Sequence, residues 1–227
     1  MTTAIIQVRL NSKRLPKKAL LSICENSLLE NLVFRLKKSK YINKVIISTS
    51  NNKTDKKIIE FCKKNKILFY KGSLKNVFLR IINTTKKFKI KYFLRVCADS
   101  PLLDSTIIDK GIKKFNNGNY DLVTNRFPRS YPKGQTVEII KTKALSKIHQ
   151  KNLSILQKEH FTKYFYDNPM NFKIYNFKYN KDLSDISMAI DNKANLNFLK
   201  KINKRYNNKI NSLSFKKLLK VYEKKNV

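Results

Sequence analysis

Short apolar runs alternate with stretches of helical spacing along the first half of the chain. Residues 4–8 (AIIQV) predict a buried strand. Residues 27–36 (SLLENLVFRL) follow with a helical period, and Ser27 with Glu30 has the form of a capping box. Strands are expected at 44–49, 67–70, 92–97 and 120–124, with helices at 54–64, 74–87 and 106–115 between them. The second half is less regular. Residues 137–140, 172–177 and 187–190 read as strands, and 196–205 and 214–224 as closing helices. Strand–helix alternation of this kind predicts an α/β fold, a mostly parallel sheet with helices on both faces. No fixed-period repeat accompanies it.

The chain has 227 residues, 41% of them hydrophobic, which suits one domain with a real core. No linker divides it, so 1–227 is read as a single domain with a small acceptor or dimerisation subregion near 125–180. No apolar run reaches the ~18 residues of a membrane helix, so membrane insertion is not expected. The first residues lack the pattern of a secretory signal. Cys24, Cys62 and Cys97 have no metal-type spacing and read as reduced thiols of a cytoplasmic protein.

A formal charge of +35 raises the question of nucleic acid. The lysines, however, are spread over the whole chain beside many Asn and Ile. That is a compositional drift on every solvated face, not one patch. The charge would still concentrate anionic substrates.

In an open α/β sheet, ligands bind beyond the carboxyl ends of the strands. The first strand runs into Arg9-Leu10-Asn11-Ser12-Lys13-Arg14-Leu15-Pro16-Lys17-Lys18, a basic loop at that place. Only eight residues of the chain are arginine, which gives Arg9 and Arg14 weight as phosphate ligands. The plain alternative is a solvated basic turn. The strand at 92–97 leads into Ala98-Asp99, and the run at 187–190 into Asp191. A carboxylate there can hold Mg²⁺ against a nucleotide phosphate; a cap or turn aspartate is the plain alternative for each.

These segments together resemble the spore-coat-polysaccharide-type cytidylyltransferases, relatives of the CMP-Kdo and CMP-sialic acid synthetases. AIIQVRLNSKRLPKKAL resembles the family opening through Arg9, Ser12, Arg14, Leu15, Pro16 and Lys18. VIISTS, the stretch from Tyr70 through Val77 and Arg80, RVCADSPLLD, SYPKGQTVEII, Glu159-His160 and Ala189-Ile190-Asp191 resemble further family motifs in order. The resemblance implies a Rossmann-like nucleotidyltransferase fold, CTP as donor, Mg²⁺ as cofactor and a homodimer. By the same resemblance, Arg9, Ser12, Arg14 and Lys18 would hold the CTP phosphates, with Arg80 and Ala98 on the nucleotide side. Ser48, Thr49 and Ser50 would lie near cytosine or ribose. Asp99 and Asp191 would hold the metal; with Arg14 and Lys18 they form the expected catalytic set. Arg126, Tyr131, Gly134, Glu138, Glu159 and His160 would line the acceptor side, and Arg129 is added there as a partner for an acceptor carboxylate.

The chain also departs from the family pattern. Asn11 and Lys17 stand where glycine is common, Thr136 replaces an expected acid, and Asp191 lacks the usual Pro-Glu-Asp after it. The expected activity is transfer of CMP from CTP to an acidic sugar with release of pyrophosphate, for surface polysaccharide or glycoconjugate synthesis. One alternative is a phosphorylated polyol or small acid giving a CDP product. Another is a non-catalytic polyanion- or nucleic-acid-binding module, to which the pocket acids Asp99 and Asp191 would contribute nothing. A glycosyltransferase usually carries an Asp-x-Asp metal motif, and no such triplet follows a strand here.

Overall fold

The computed structural model describes residues 2–12, 14–23 and 25–224. Lys13 of the basic loop and the Cys24 thiol lie outside them. The strands are β1 (Thr2–Gln7), β2 (Ser22–Ile23), β3 (Asn26–Ser27), β4 (Ile42–Ser50), β5 (Leu68–Gly72), β6 (Tyr92–Cys97), β7 (Leu122–Thr124), β8 (Glu138–Lys141) and β9 (Ile174–Asn176). The helices are α1 (Leu28–Lys37), α2 (Lys56–Lys64), α3 (Val77–Lys87), α4 (Ser105–Asn116), α5 (Thr142–Ser146), α6 (Ile155–Glu159), α7 (Lys163–Asp167), α8 (Lys193–Arg205) and α9 (Phe215–Glu223).

Seven strands make one sheet in the order β5-β4-β1-β6-β8-β7-β9, while β2 and β3 pair separately. β5, β4, β1 and β6 run parallel. β8 is antiparallel to both its neighbours, and β7 and β9 are parallel to each other. The segment 125–180 thus extends the same sheet. Alternate side chains of β1 serve opposite faces: Ala4 and Ile6 pack with Leu32 of α1, Ile58 of α2, Ile108 of α4, Leu199 of α8 and Leu218 of α9. Ile5 packs with Phe78 and Ile81 of α3, Leu145 of α5 and Phe165 of α7. Coverage of both faces is why the central strands read as continuous apolar runs rather than alternating ones.

Local chemistry sets the helix starts. Ser27 accepts from the Glu30 N–H at 3.1 Å while the Glu30 carboxylate accepts from the Ser27 N–H at 2.6 Å, the predicted capping box. α3 begins at Val77 and not at residue 74, because the Asn76 side chain caps it by accepting from the Leu79 N–H. Residues 187–190 are not a strand. They make one parallel bridge, Lys133↔Ser187. The Met188 N–H donates to the Lys133 carbonyl and the Ile190 N–H to the Asp99 carbonyl, each at 2.8 Å. The segment divides its hydrogen bonds between two loops, so no ladder forms although its apolar side chains are buried.

Candidate active site

The chain leaves β1 toward β4 and β5 on one side, then returns through α3 to β6 on the other side of β1. Strand order reverses there, and the crevice outside the carboxyl ends of β1 and β6 is the expected ligand site. A cleft of about 590 Å³ occupies it, lined by Arg9, Arg14, Lys18, Arg80, Asp99 and Asp191 among others. A second chamber of about 340 Å³ opens beside it toward Arg126, Arg129, Lys133, Gly134, Thr136 and Glu138. Cys97, Asp99, His160 and Asp191 line both. The two carboxylates thus stand where the chambers meet.

The basic loop is held by a buried carboxylate. Asp55 accepts from the Leu10 N–H at 2.8 Å and from the Ser50 hydroxyl, joining the loop to the end of β4. The loop closes with the Lys17 N–H donating to the Leu10 carbonyl at 2.9 Å. Lys17, at φ 56°, takes the left-handed conformation natural to glycine; Asn11 does not. Lys18 is then placed with Nζ 3.3 Å from Asp191 Oδ1 and 3.7 Å from Asp99 Oδ2. Arg14 lies 3.4 Å from Asp191, and Arg9 pairs with Glu159. Arg80 is 2% exposed and its Nε has no partner. Burial, then Arg9, lower its pKa to about 10, with Asp55 opposing. It is a desolvated cation on the cleft wall with an unused donor.

Two loops bring the aspartates together: the Ile190 N–H to Asp99 carbonyl bond described above, and Gly134. Gly134 has φ 90°, and a Cβ there would lie 2.7 Å from the Ala189 nitrogen. Only glycine lets the 133–135 loop lie against the Met188–Ala189 backbone.

Beneath the second chamber runs a buried polar chain. Arg95 donates to Gln7 Oε1 at 3.1 Å and to Glu138 at 2.5 Å; Tyr166 donates to Glu138 at 2.6 Å. Burial pushes the Glu138 carboxyl up, but Arg95 and the Tyr166 hydroxyl outweigh it and hold the pKa below the usual value. Burial lowers the His160 pKa; Glu159 opposes this, and Arg95, Arg126 and Arg9 add to it, which favours the neutral ring. Burial pushes the Cys97 thiol up to about 11, which leaves it an inert wall.

Most of the residues expected from sequence converge here. Arg9, Ser12, Arg14, Lys18, Arg80, Ala98, Asp99 and Asp191 line the larger cleft. Arg126, Arg129, Gly134, Glu138 and His160 line the smaller chamber. Glu159 faces the larger cleft instead of the acceptor side. Ser48, Thr49 and Ser50 are fully buried and line neither. Ser48 bonds Thr84 at 3.0 Å and Ser50 bonds Asp55, so these hydroxyls serve the strand's own packing. Tyr131 is 3% exposed and packs among Phe177, Tyr179 and Phe215, away from both chambers. Sequence reasoning missed Gln7, Arg95, Asp55 and Tyr166. The one available signal was a charged or polar residue inside an otherwise apolar strand, at Gln7 and Arg95.

Lysine has spread over the surface, yet six of the eight arginines line these chambers. An arginine offers a planar fork that matches a phosphate or carboxylate, which a lysine does not. An α/β sheet with phosphate-type cations and paired aspartates at its switch point defines a nucleotidyltransferase. The family model described as cytidylyltransferase matches residues 3–226, and the chain belongs to that family. The structure of a cytidylyltransferase from Leptospira borgpetersenii superposes with a TM-score of 0.91 at 29% identity, covering 100% of this chain and 95% of that one. The spore coat polysaccharide biosynthesis protein SpsF of Bacillus subtilis is 29% identical over 177 residues, 75% of this chain and 72% of its own length. CMP:2-keto-3-deoxy-manno-octonic acid synthetase, solved with CTP, shares the fold at a TM-score of 0.68 and 12% identity over 91% of this chain and 100% of that one. The resemblance to spore-coat-type enzymes is borne out. Among the described residues no helix is long and apolar enough to cross a membrane.

Proposed function

We propose that the protein transfers CMP from CTP to an acidic sugar, releasing pyrophosphate. The observation that carries this is the pair of chambers meeting at Asp99 and Asp191, the larger lined by Arg9, Arg14, Arg80 and Lys18. The larger is read as the CTP site and the smaller as the acceptor site. An acceptor hydroxyl attacks the α-phosphorus in line; the bond to the β-phosphate oxygen breaks and pyrophosphate leaves. The cations of the larger cleft hold the triphosphate and offset charge on the departing pyrophosphate. His160, which lines both chambers and is favoured in its neutral form, can take the proton that the attacking hydroxyl loses.

The donor set fits Mg²⁺. Two partly exposed carboxylates converge, which suits an ion that takes one or two carboxylates plus phosphates and water. No third His, Cys, Asp or Glu joins them among the described residues, so phosphate and water would complete the shell. Asp99 and Asp191 would hold the ion, which when bound supplies charge neutralisation at the reacting phosphate. Lys18 Nζ lies beside both carboxylates, where it would also meet a bound phosphate.

The test is pyrophosphate release from CTP, Mg²⁺ and candidate sugar acids, with Asp99→Ala as control. Loss of roughly 10²-fold or more is expected in the variant while it stays folded. Activity near wild type would remove Asp99 from the site. Product analysis with labelled CTP must find one phosphate kept in the nucleotide product; two would mean a CDP product and an attacking phosphate. CTP should raise the melting temperature more than UTP, GTP or ATP does.

A further inference from the structure

The charges around the smaller chamber do not balance. Its carboxylates are Asp99, Asp191 and Glu138. Glu138 is taken by Arg95 and Tyr166, and the two aspartates face Lys18. Arg126, Arg129 and Lys133 also line the chamber, and none of the three makes an ion pair among the described residues.

The two arginines are built into one face of a tight turn. Arg126 and Arg129 form an antiparallel bridge, which sends both side chains to the same side. The turn is pinned at three points. The Phe127 N–H donates to Asn176 Oδ1 at 2.9 Å, Asn176 Nδ2 donates to the Pro128 carbonyl at 3.1 Å, and the Arg126 N–H donates to Thr124 Oγ1 at 3.2 Å. Phe127 stacks on Tyr166 with ring centroids 5.0 Å apart, and the Arg126 guanidinium lies 5.8 Å from the same ring centroid. Arg129 donates through both Nη atoms to Thr136 Oγ1 at 3.2 Å, and through Nη1 to the Pro132 carbonyl at 3.4 Å. Its partner at 136 is a neutral hydroxyl. An aspartate there could offer the guanidinium fork a full charge. Burial first, then the neighbouring Arg126, make the cationic form of Arg129 less favourable than usual. Two like charges are therefore held together, partly desolvated and in no ion pair, with Glu138, already bound by Arg95 and Tyr166, acting on them only through space.

We propose that the acceptor carries two negative charges, and that the Arg126–Arg129 turn with Lys133 is the subsite for the second, an anionic group of phosphate type. The proposal rests on the reading of the smaller chamber as the acceptor site. A carboxylate carries one charge and matches one guanidinium fork; two forks and the Lys133 ammonium at one turn call for a group of higher charge. Thr136 is the residue that sets the preference, because its neutral hydroxyl leaves Arg129 without an ion pair. The anion at this turn is a recognition group, held by fixed donors and not itself the attacking oxygen.

The test uses the full chain saturated with CTP and without added metal, so that the larger cleft is filled and no turnover occurs. Inorganic phosphate and acetate are titrated against its melting temperature at about pH 8. Phosphate, a dianion there, should bind at least about tenfold tighter than acetate, and the advantage should shrink at about pH 6 as phosphate takes up a proton. Thr136→Asp and Arg129→Gln should each weaken phosphate at least about tenfold, with the CTP-induced shift as the control for folding. Phosphate binding no tighter than acetate, or not detected, overturns the proposal. So does Thr136→Asp with wild-type phosphate affinity. If CTP fails to stabilise the wild type, the cytidylyl-transfer reading falls instead, and the comparison of wild type with Thr136→Asp still decides the anion subsite.

Discussion

Replacing Gly134 with alanine tests how the second aspartate is positioned. A Cβ at this residue would sit 2.7 Å from the Ala189 nitrogen and 2.8 Å from the Met188 carbonyl carbon, and both are backbone atoms. Reaching an ordinary contact of 3.4 Å requires a shift of about 0.7 Å in one of the two strips. A side chain could rotate away, but backbone cannot. The residue also sits at φ 90°, where an L side chain costs about 1–2 kcal/mol. With the overpacking, the total is about 2–5 kcal/mol. In a chain of this size each kcal/mol lowers the melting temperature by roughly 2–4 °C, so a fall of roughly 4–20 °C is expected. The displaced strip continues through Ile190 into Asp191, whose carboxylate faces Lys18 at 3.3 Å. Misplacement on this scale costs roughly 10²-fold in kcat/KM. Both quantities are measurable, the first by calorimetry and the second by pyrophosphate release at a temperature where the variant is folded. A melting temperature within about 2 °C of wild type would refute the steric reasoning. A large fall in melting temperature with full activity would refute the link from Gly134 to Asp191.

Glu138→Ala strands the Arg95 guanidinium in the interior and should cost about 3–5 kcal/mol in denaturant unfolding; replacing both residues with apolar ones should cost less, and a larger loss in the double variant would argue against the pairing. Because the folded pKa of Glu138 lies below its unfolded value, its stabilisation is complete above the usual carboxylate range and disappears as pH falls through the folded value. The stability gap between wild type and Glu138→Gln should therefore be flat near neutrality and narrow in acid, and a gap that widens in acid would reverse that sign. Lys17→Gly relieves a left-handed lysine worth about 1–2 kcal/mol against a glycine entropy cost of about 0.5–1 kcal/mol. The variant should melt slightly above wild type; a clear drop would mean the Lys17 side chain does more than close the turn.

The sequence alone determined most of the elements and the place of the basic loop beside Asp99. Apolar period and capping chemistry are local, so the Ser27–Glu30 box, the strand at Tyr92–Cys97 and the basic loop after β1 all follow from neighbouring residues. Strand-end position sufficed to pick Asp99, because ligands gather where parallel strands end; Asp191 follows an apolar run that only looks like a strand. What the tertiary structure decided is long-range. Ser48 and Ser50 are polar residues at a strand end, and only the packing of Thr84 and Asp55 against them shows that their hydroxyls are already used. Tyr131 lies within the acceptor-type motif yet turns into an aromatic cluster built by Phe177, Tyr179 and Phe215. Residues 187–190 have the pattern of a strand, but their hydrogen bonds go to Lys133 and Asp99, which no local rule can pair. Arg126 and Arg129 are near in sequence, but the way they face the chamber is long-range: Asn176 and Tyr166 fix their turn from roughly forty to fifty residues away, and burial there removes the water that would screen the two charges.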